Sequence, residues 1–508
     1  MYFALKSNHM RIIISTLIFI LLIVVSCNKE EEITGNSNSG SLSFSVDSLH
    51  FDTVFTTVGA ATRYLKVYNT TNKDINLDEI SLLRGESSPY RINVDGESGN
   101  LVNDILLRAN DSLYILTDVN IDPNGLIGES LIEEDKILLE YDNEIQNIKL
   151  SALGIDAHFY SGIADHQSEQ QFLDSLDIDD DGVYEYKFYN ISVTDNWVND
   201  KPHVIYGDVW VTNGATLNIG PGSDIYLHNN SNIIVTETSS LNMNGGPNEQ
   251  IITVQGDRLE EYYLNIPGQW GKIWLSAGST NNKIEYAVIQ NGTIGVQVDS
   301  VINDQPSLEI KNTIINNMSG LGLLAQGSNV NGENLLIRNC GQYGVALNIG
   351  GKYNFTHCIF DNNYSTQSRQ TPNIFLNNYY EDYTGTVQFR ALEQANFNNC
   401  IIYGDNENEL LLDNNSGTDF NYNFDHCLIK IDTTIHNPNQ DPFFTQCLLN
   451  KNPEIVELSE LIWPYFELDS ISPAINIGSE IVASSVPFDI DGNSRLLLPD
   501  LGCFERID

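Results

Sequence analysis

Basic residues are scarce in this chain: Lys and Arg together number 25 among 508 residues, against 68 Asp and Glu. The resulting net charge of -43 repels phosphate backbones, which argues against nucleic acid as a partner. Cysteine is also rare, with seven residues and no Cys-x-x-Cys pair of the kind that binds zinc. The sequence therefore indicates an acidic protein without a nucleic-acid surface or a cysteine metal cluster.

The one long apolar run of the chain lies near its start, at Ile12–Val25. It follows Lys6 and Arg11, is shorter than a membrane span requires, and ends in Val-Val-Ser before Cys27. This ending resembles the lipobox of bacterial lipoproteins. The resemblance implies that residues 1–26 are a signal peptide and that acylated Cys27 anchors the protein to a membrane. The alternative is a transmembrane anchor with an incidental cysteine.

The residues directly after this cysteine carry a second signal. The run Asn-Lys-Glu-Glu-Glu at Asn28–Glu32 resembles the surface-export signal of Bacteroidetes-type lipoproteins. The resemblance implies an outer-membrane lipoprotein exposed at the cell surface. Residues 27–41 as a whole are acidic and then rich in Gly, Ser and Asn, which predicts a flexible tether.

Apolar residues begin to alternate with polar ones at Leu42, in segments separated by Asn, Asp and Gly. This pattern is typical of half-buried antiparallel strands and predicts an immunoglobulin-like β-sandwich over residues 42–156. The order of the segments resembles the immunoglobulin-like spacer domains of ciliary, centrosomal and bacterial surface proteins. Such domains usually position a partner domain, so we assign no chemistry to this one.

A repeat with a period in the twenties occupies the middle of the chain. Its segments align on one column, with steps of 26, 22, 23, 42 and 27 residues: Ala287, Thr313, Leu335, Cys358, Cys400 and Cys427. A second register agrees, because Leu217 and Leu241 are 24 residues apart, as are Val211 and Val235. Strand-like units at such a period predict a β-solenoid, in which each coil buries its apolar side against the next. The 42-residue step is either two short coils or one coil with an insertion.

Asparagines follow the first four positions of this column at a fixed distance of four residues: Asn291, Asn317, Asn339 and Asn362. Asn tolerates left-handed backbone, and its amide can bond to the Asn of the next coil. The pattern resembles the asparagine ladder of the pectate-lyase-like right-handed β-helix family, and the handedness also follows from the crossover rule. Cysteines of the column are interpreted as small apolar filler rather than as reactive groups.

These patterns predict an all-β chain in which the sandwich precedes a right-handed parallel β-helix. We expect an acidic connector at 157–195, the β-helix at 196–450, and a C-terminal cap at 451–508 that closes the open end of the solenoid.

A calcium site is one interpretation of the connector. Asp177, Asp179 and Asp181 alternate before a Gly, as carboxylates do in calcium loops, although the twelfth-position Glu of an EF-hand is missing. An acidic turn without an ion is the alternative. A calcium ion here would be structural rather than catalytic.

Two aromatic clusters are candidates for ligand binding, because sugar rings stack on flat side chains. In the first, two tyrosines precede a Trp-Gly-Lys-Ile-Trp strand whose two indoles are expected to share a face, and in the second, tyrosines and arginines fill the 42-residue step. The candidate residues are Tyr262, Tyr263, Trp270, Trp274, Arg369, Tyr379, Tyr380 and Arg390. Packing within the core or loops is the alternative for all of them.

No catalytic residue is identified from the sequence. Some enzymes of the β-helix family that the chain resembles use acidic calcium ligands with an Arg or Lys base. Others use clustered Asp with His and an Arg-x-Lys unit. Neither set of residues is found in the repeat. We therefore expect a non-catalytic surface lipoprotein that binds polysaccharide or another envelope component. A β-helix lyase or hydrolase with an unfamiliar active site and a purely structural envelope protein are the alternatives.

Overall fold

The computed structural model describes residues 42–56, 62–121, 131–161, 173–176, 186–300, 307–364, 366–457 and 466–507. Strands dominate these residues, so the predicted all-β class is confirmed. The chain divides into two compact units, Met1–Ile155 and Asp156–Asp508, each with its own core. Within the described ranges, the chain forms no helix with the length and apolar character that crossing a membrane requires.

The first unit is a β-sandwich of two five-stranded sheets. One sheet has the spatial order β1 (Leu42–Phe44), β3 (Arg63–Asn69), β8 (Ser112–Val119), β5 (Tyr90–Val94), β6 (Glu97–Gly99). The other has the order β2 (Ser48–Phe55), β10 (Glu144–Ile155), β9 (Leu131–Tyr141), β4 (Ile75–Leu82), β7 (Leu101–Leu107). All pairs are antiparallel except β2 with β10. Alternate side chains of both sheets meet in one core, as the predicted sandwich requires.

The second unit is a parallel β-helix whose coils contribute to three ladders of parallel strands. The first ladder contains β14 (Asp195–Trp197), β17 (Thr216–Ile219), β20 (Ser240–Asn244), β23 (Asn282–Glu285), β26 (Leu308–Met318), β28 (Asn329–Cys340), β30 (Gly351–Thr356), β35 (Leu392–Asn398), β38 (Asn423–Asp425) and β40 (Phe444–Thr445). The second contains β11 (His158–Ser161), β15 (His203–Tyr206), β18 (Asp224–Leu227), β21 (Ile252–Gly256), β24 (Ala287–Gln290), β31 (Ile359–Asn362), β36 (Ile401–Gly404), β39 (Leu428–Ile429) and β41 (Leu448–Leu449), together with the far halves of β26 and β28. The predicted fold class is confirmed.

The third ladder, called the third sheet below, completes each coil. It contains β13 (Tyr186–Ile191), β16 (Asp208–Val211), β19 (Asn232–Val235), β22 (Trp270–Leu275), β25 (Gly292–Val298), β27 (Leu321–Gln326), β29 (Val345–Asn348), β32 (Ile374–Asn377) and β37 (Leu410–Asp413) in parallel, with β12 (Leu173–Leu176) antiparallel to β13. Smaller elements are the hairpin β33 (Tyr379–Glu381) and β34 (Val387–Phe389), the pair β42 (Ile455–Glu457) and β43 (Phe466–Leu468), the helix α1 (Glu480–Ala483), and 3-10 turns at Gly85–Ser87, Asn248–Gln250, Glu261–Tyr263 and Pro438–Gln440.

The inward column predicted from the repeat is confirmed. All six of its side chains are fully buried: Ala287, Thr313, Leu335, Cys358, Cys400 and Cys427. Ile359 pairs with Ile401, so the 42-residue step is one coil with an insertion. Burial raises the pKa of the Cys358 and Cys400 thiols well above its usual range, which keeps them neutral and unreactive, as apolar filler requires.

One residue turns the chain between the first and second ladders in each upper coil. These corner residues have φ angles between 46° and 54°: Tyr286, Asn312, Asn334, His357, Asn399, His426 and Gln446. At the next corner, Asn291, Asn317 and Asn339 are also left-handed, and the Asn317 amide donates to Asn291 Oδ1 at 2.8 Å. The predicted ladder therefore forms at its first step, whereas Asn339 donates to Asn316 and Asn362 accepts from a backbone N–H.

The solenoid begins before residue 196, which is the start that was predicted from the sequence. Strand β11 already pairs with β15 in the second ladder, and β13 pairs with β16 in the third sheet. The described parts of the predicted connector, 157–195, therefore belong to the first coil. The repeat is hard to recognise there because a long stretch of sequence separates β11 from β13. This stretch breaks the regular period.

The C-terminal tail covers the side of the solenoid rather than its open end, contrary to the prediction of an end cap. Outward apolar residues of the second ladder form one buried cluster with the tail: Val288, Ile314, Leu336, Ile359, Ile401 and Leu428 with Phe466, Leu468, Ala474, Ile490, Leu501, Cys503 and Phe504. The Gly502 N–H also donates to the Asn399 carbonyl at 2.8 Å. The physical reason is that this outward column is itself apolar and is stabilised by removal from water.

Arg369 lies in the core of an insertion rather than at a binding surface, so its prediction as a ligand residue is wrong. Its guanidinium donates to Glu409 Oε1 at 2.6 Å and to the Asn362 carbonyl at 2.8 Å, and its side chain is 1% exposed. Glu409 also accepts from the backbone N–H groups of Asn373 and Asn406. The ion pair therefore anchors the loop between β31 and β32 to the next coil.

An aromatic stack supports the first coils of the solenoid. The Trp197 ring stacks between the other two rings, with its centroid 4.3 Å from that of Tyr160 and 4.9 Å from that of His203. His203 is 2% exposed. His203 Nε2 lies 3.0 Å from the Val198 carbonyl, which can only accept, and Nδ1 lies 2.8 Å from the Tyr160 hydroxyl. The imidazole is therefore held neutral, and burial lowers its pKa to about 4.

We expect this histidine to make the second unit less stable in acid. In the unfolded chain it takes up a proton near its ordinary pKa of about 6.5. In the folded chain the imidazole of His203 stays unprotonated down to about pH 4. Lowering the pH through this window should therefore lower the free energy of unfolding by up to about 3 kcal/mol. Urea unfolding of wild type and His203→Gln at pH 7 and pH 4.5 tests this. The loss should shrink in the variant but persist in the control His228→Gln, which changes an exposed histidine of the same unit.

We expect Arg369→Met to lower the free energy of unfolding by about 3–5 kcal/mol, because it leaves the Glu409 carboxylate buried without its cation. The control is Arg258→Met, which breaks a surface pair with Glu260 and should cost about 1 kcal/mol or less. Urea unfolding measures both. Equal stabilities of the two variants would contradict the buried-pair interpretation.

Candidate functional site

The outward-facing side chains of the third sheet form a mainly apolar column, of which Ile234, Gln297 and Ala346 are buried. In register from the lower to the upper coils these are Asn190, Trp210, Ile234, Trp274, Gln297, Leu324, Ala346, Phe375 and Leu411. Their neighbours in each strand point inward into the core, as the two-residue alternation of a strand dictates. Trp210, Trp274 and Phe375 are half-buried, so each presents part of a ring at the surface.

Trp274 is the centre of a polar network on this surface. Its indole N–H donates to Asp299 Oδ2 at 2.7 Å, and the Lys272 ammonium lies 4.5 Å from its ring centroid. Lys272 donates to Gln297 Oε1 at 2.7 Å, and Gln297 donates to Asp299 Oδ1 at 3.0 Å. Burial lowers the pKa of Lys272, and the nearby carboxylates of Asp299 and Asp208 oppose that shift. The indole is thus fixed edge-on by one carboxylate, beside a cation.

A similar arrangement lies lower on the sheet, at Trp210. Burial raises the pKa of Asp208, and hydrogen bonds from Asn232 act against that shift. The Asn232 amide donates to Asp208 Oδ1 at 2.8 Å, and its oxygen accepts the backbone N–H of Lys272 at 3.0 Å. Asp208, which shares one side of β16 with Trp210, is therefore linked through Asn232 to β22, the strand that carries Trp274.

Apolar contacts dominate the upper part of the surface. The Tyr343 and Phe375 rings stack with centroids 5.3 Å apart at 27°, and both are half-buried. Leu324 and Leu411 are half-buried in the same column. A flat ligand could therefore contact rings at both ends of the surface and polar groups in its middle.

The excursion at residues 257–269 borders the sheet where its strands begin. This segment leads directly into β22. The N–H groups of Gly268 and Gln269 donate to carbonyls of the next coil. Tyr262 is 74% exposed, and Tyr263 packs under the Arg258 guanidinium at 3.9 Å. The structure therefore brings the predicted residues Tyr262 and Tyr263 to this border.

The hairpin of β33 and β34 borders the opposite edge, because it follows β32 directly. Tyr379 donates to Asp413 Oδ2 of the next coil at 2.8 Å, and Arg390 donates to Ser300 Oγ of a lower coil at 2.6 Å. Tyr380 is 44% exposed and Tyr383 is fully exposed. The predicted residues Tyr379, Tyr380 and Arg390 therefore lie at this second border.

Trp270 does not belong to the surface, and the expectation that it shares a face with Trp274 is wrong. It is 1% exposed, and its indole donates to the Gln290 carbonyl at 2.8 Å inside the solenoid. The ladder between β22 and β25 shifts register between Lys272 and Ile273. This irregularity breaks the alternation that would place residues four apart on one side.

Several residues of this surface were not predicted from the sequence: Asp208, Trp210, Lys272, Gln297, Asp299, Tyr343 and Phe375. A signal existed for the first tryptophan, since Trp210 precedes Val211 and Ile234 precedes Val235 in the recognised 24-residue register. No comparable signal marks Asp299, because the coils above have irregular lengths. Cys27 and the possible calcium ligands Asp177, Asp179 and Asp181 lie outside the described residues.

Comparisons with known proteins give weak likenesses. No protein-family profile and no curated protein matches the chain. Among solved structures, a catalytic unit of a GH87 alpha-1,3-glucanase from Streptomyces thermodiastaticus is similar over 76% of this chain and 75% of its own, with 10% identity and a TM-score of 0.32. PapD-like domain 7 of human CEP192 is similar over 26% of this chain and 98% of its own, with 14% identity and a TM-score of 0.16.

A family 123 glycoside hydrolase from Clostridium perfringens is similar over 22% of this chain, at 9% identity and a TM-score of 0.17, and the match spans only 26% of the hydrolase chain. Likenesses with these TM-scores support no inference about substrate or reaction. The function must therefore be argued from the surface itself.

Proposed function

We propose that the protein binds a polysaccharide on the outer surface of the third sheet, without cleaving it. The observation that supports this most strongly is the half-buried indole of Trp274, which is hydrogen-bonded to Asp299 and shares its outward column with the half-buried indole of Trp210. Sugar rings pack their apolar faces on aromatic rings, while their hydroxyl groups need polar partners at the ring edge. Gln297, Asp299 and Lys272 supply such partners beside Trp274.

The shape of the surface suits an extended chain rather than a small molecule. Successive coils are about 4.8 Å apart, so the four coil steps from Trp210 through Trp274 to Leu324 span about 19 Å. The two tyrosine-bearing borders lie on opposite edges of the third sheet. A linear glycan running along the solenoid axis would contact several coils in turn.

We further propose that the protein is a lipoprotein of the outer membrane, anchored through Cys27 and exposed at the cell surface. The support is the sequence of residues 1–41: a charged start, a short apolar run, the lipobox-like ending and an acidic tether. The solenoid would then present its glycan surface outside the cell.

We expect Trp274→Ala to weaken polysaccharide binding at least tenfold, because it removes the best-oriented ring of the surface. Residues 40–508 are first screened against neutral and anionic polysaccharides by thermal shift, and the affinities of any hit are then measured by calorimetry. Trp274→Phe, which keeps a ring but loses the indole donor, should lie between wild type and Trp274→Ala. The matched control is Tyr64→Ala, an exposed aromatic of the sandwich, which should bind like wild type.

Three results would count against these proposals. Unchanged binding by both Trp274→Ala and Trp210→Ala would remove the site from the third sheet. Release of reducing or unsaturated ends during the screen would show a hydrolase or lyase in place of a non-catalytic binder. The absence of any thermal shift would favour the purely structural role.

A further inference from the structure

Carboxylates lie beside several rings of the candidate surface. Trp274 donates to Asp299 and Tyr379 donates to Asp413, and Asp208 precedes Trp210 by two residues on the same side of β16. These three rings come from three different coils. A sugar stacked on any of them would place its ring substituents next to a negative charge.

Two cations beside the surface, Lys272 and Arg258, lie close to carboxylates, whereas Arg390 at the second border donates to the Ser300 hydroxyl. The Lys272 ammonium donates a hydrogen bond to Gln297, and the negative charges of Asp299 and Asp208 both favour its charged form. Arg258 is held by both carboxylate oxygens of Glu260. Neither group therefore offers an unbalanced positive charge to an incoming anion. The chain as a whole adds a net charge of -43.

We propose that the bound polysaccharide is a neutral glycan and that the aspartates exclude acidic glycans that carry uronate or sulfate groups. This inference rests on the proposed function and deepens it. Sugar hydroxyls donate to carboxylates in short, strong hydrogen bonds, so the half-buried Asp299 favours a neutral sugar. A uronate carboxylate at the same place would meet a like charge in a partly buried setting, which is unfavourable.

Like-charge repulsion at this surface has a recognisable dependence on salt. Screening weakens it strongly between low and high ionic strength, whereas stacking and hydrogen bonding change little. We therefore expect an acidic glycan to bind at least tenfold more weakly than its neutral counterpart at 20 mM salt, with a smaller ratio at 500 mM salt.

The experiment uses pairs of probes that differ only in charge. Linear oligosaccharides of glucose, mannose and galactose are compared with the same oligosaccharides oxidised at C6 to uronates, with the full chain in detergent and calorimetry as readout. The informative variant is Asp299→Asn, whose side-chain oxygen can still accept from the Trp274 indole. It should raise the affinity ratio of oxidised to neutral oligosaccharide at least threefold. The control Glu309→Gln removes an equal charge from the first ladder and should leave the ratio unchanged.

The outcomes separate this inference from the proposed function. Equal or tighter binding of the oxidised oligosaccharides, or an unchanged ratio in Asp299→Asn, would overturn the charge selection while leaving the binding surface in place. Failure of both members of every pair to bind would overturn the two proposals together. A raised ratio in Glu309→Gln as well would show that net charge, and not the aspartates beside the rings, controls selection.

Discussion

Stacking of coils in register is the constraint on which the rest of this structure depends. Each strand of a coil hydrogen-bonds to the equivalent strand of the next, so an inward residue lies directly above an inward residue. Columns such as Cys358, Cys400 and Cys427 must therefore match in size along their length, because a side chain that is too large or too small disturbs two neighbours. The same constraint carries outward residues into columns, and it is the reason that rings from distant parts of the sequence share one surface.

The constraint acts on the strands but leaves the turns between them free. One left-handed residue is enough at the corner between the first two ladders, whereas the ends of the third sheet accept long insertions. The excursion at 257–269 and the hairpin at 379–389 both occur there. Extra residues at these places lie on the outside and alter no core column, so the two borders of the surface can vary without cost to the solenoid. The buried pair of Arg369 and Glu409 shows how such an insertion is then secured.

The sequence was sufficient to predict the solenoid because its period repeats inward residues that are chemically alike. The column from Ala287 to Cys427 and the register of Val211 with Val235 are both correct. The surface was harder to predict, because outward columns need no chemical similarity: Trp274 pairs with Gln297 above it and Ile234 below it. Trp270 was assigned to the wrong side since a register shift within β22 and β25 leaves no trace in composition. Arg369 was misassigned because its buried partner, Glu409, is 40 residues away. The packing of the C-terminal tail could not be predicted either. An apolar column that faces outward cannot be distinguished in the sequence from one that faces the core.

The carboxylate beside Trp274 has a consequence for binding that is separate from charge. An aromatic side chain at a surface usually samples several rotamers, and a ligand that stacks on it must pay for holding one of them. The bond from the Trp274 indole to Asp299 fixes the ring before any ligand arrives, and Gln297 and Lys272 hold the carboxylate in turn. Preorganisation of this kind favours binding even though each ring contributes little area. It also explains why the polar groups form a connected network: each one is oriented by the next, and the last is oriented by the strands of the solenoid.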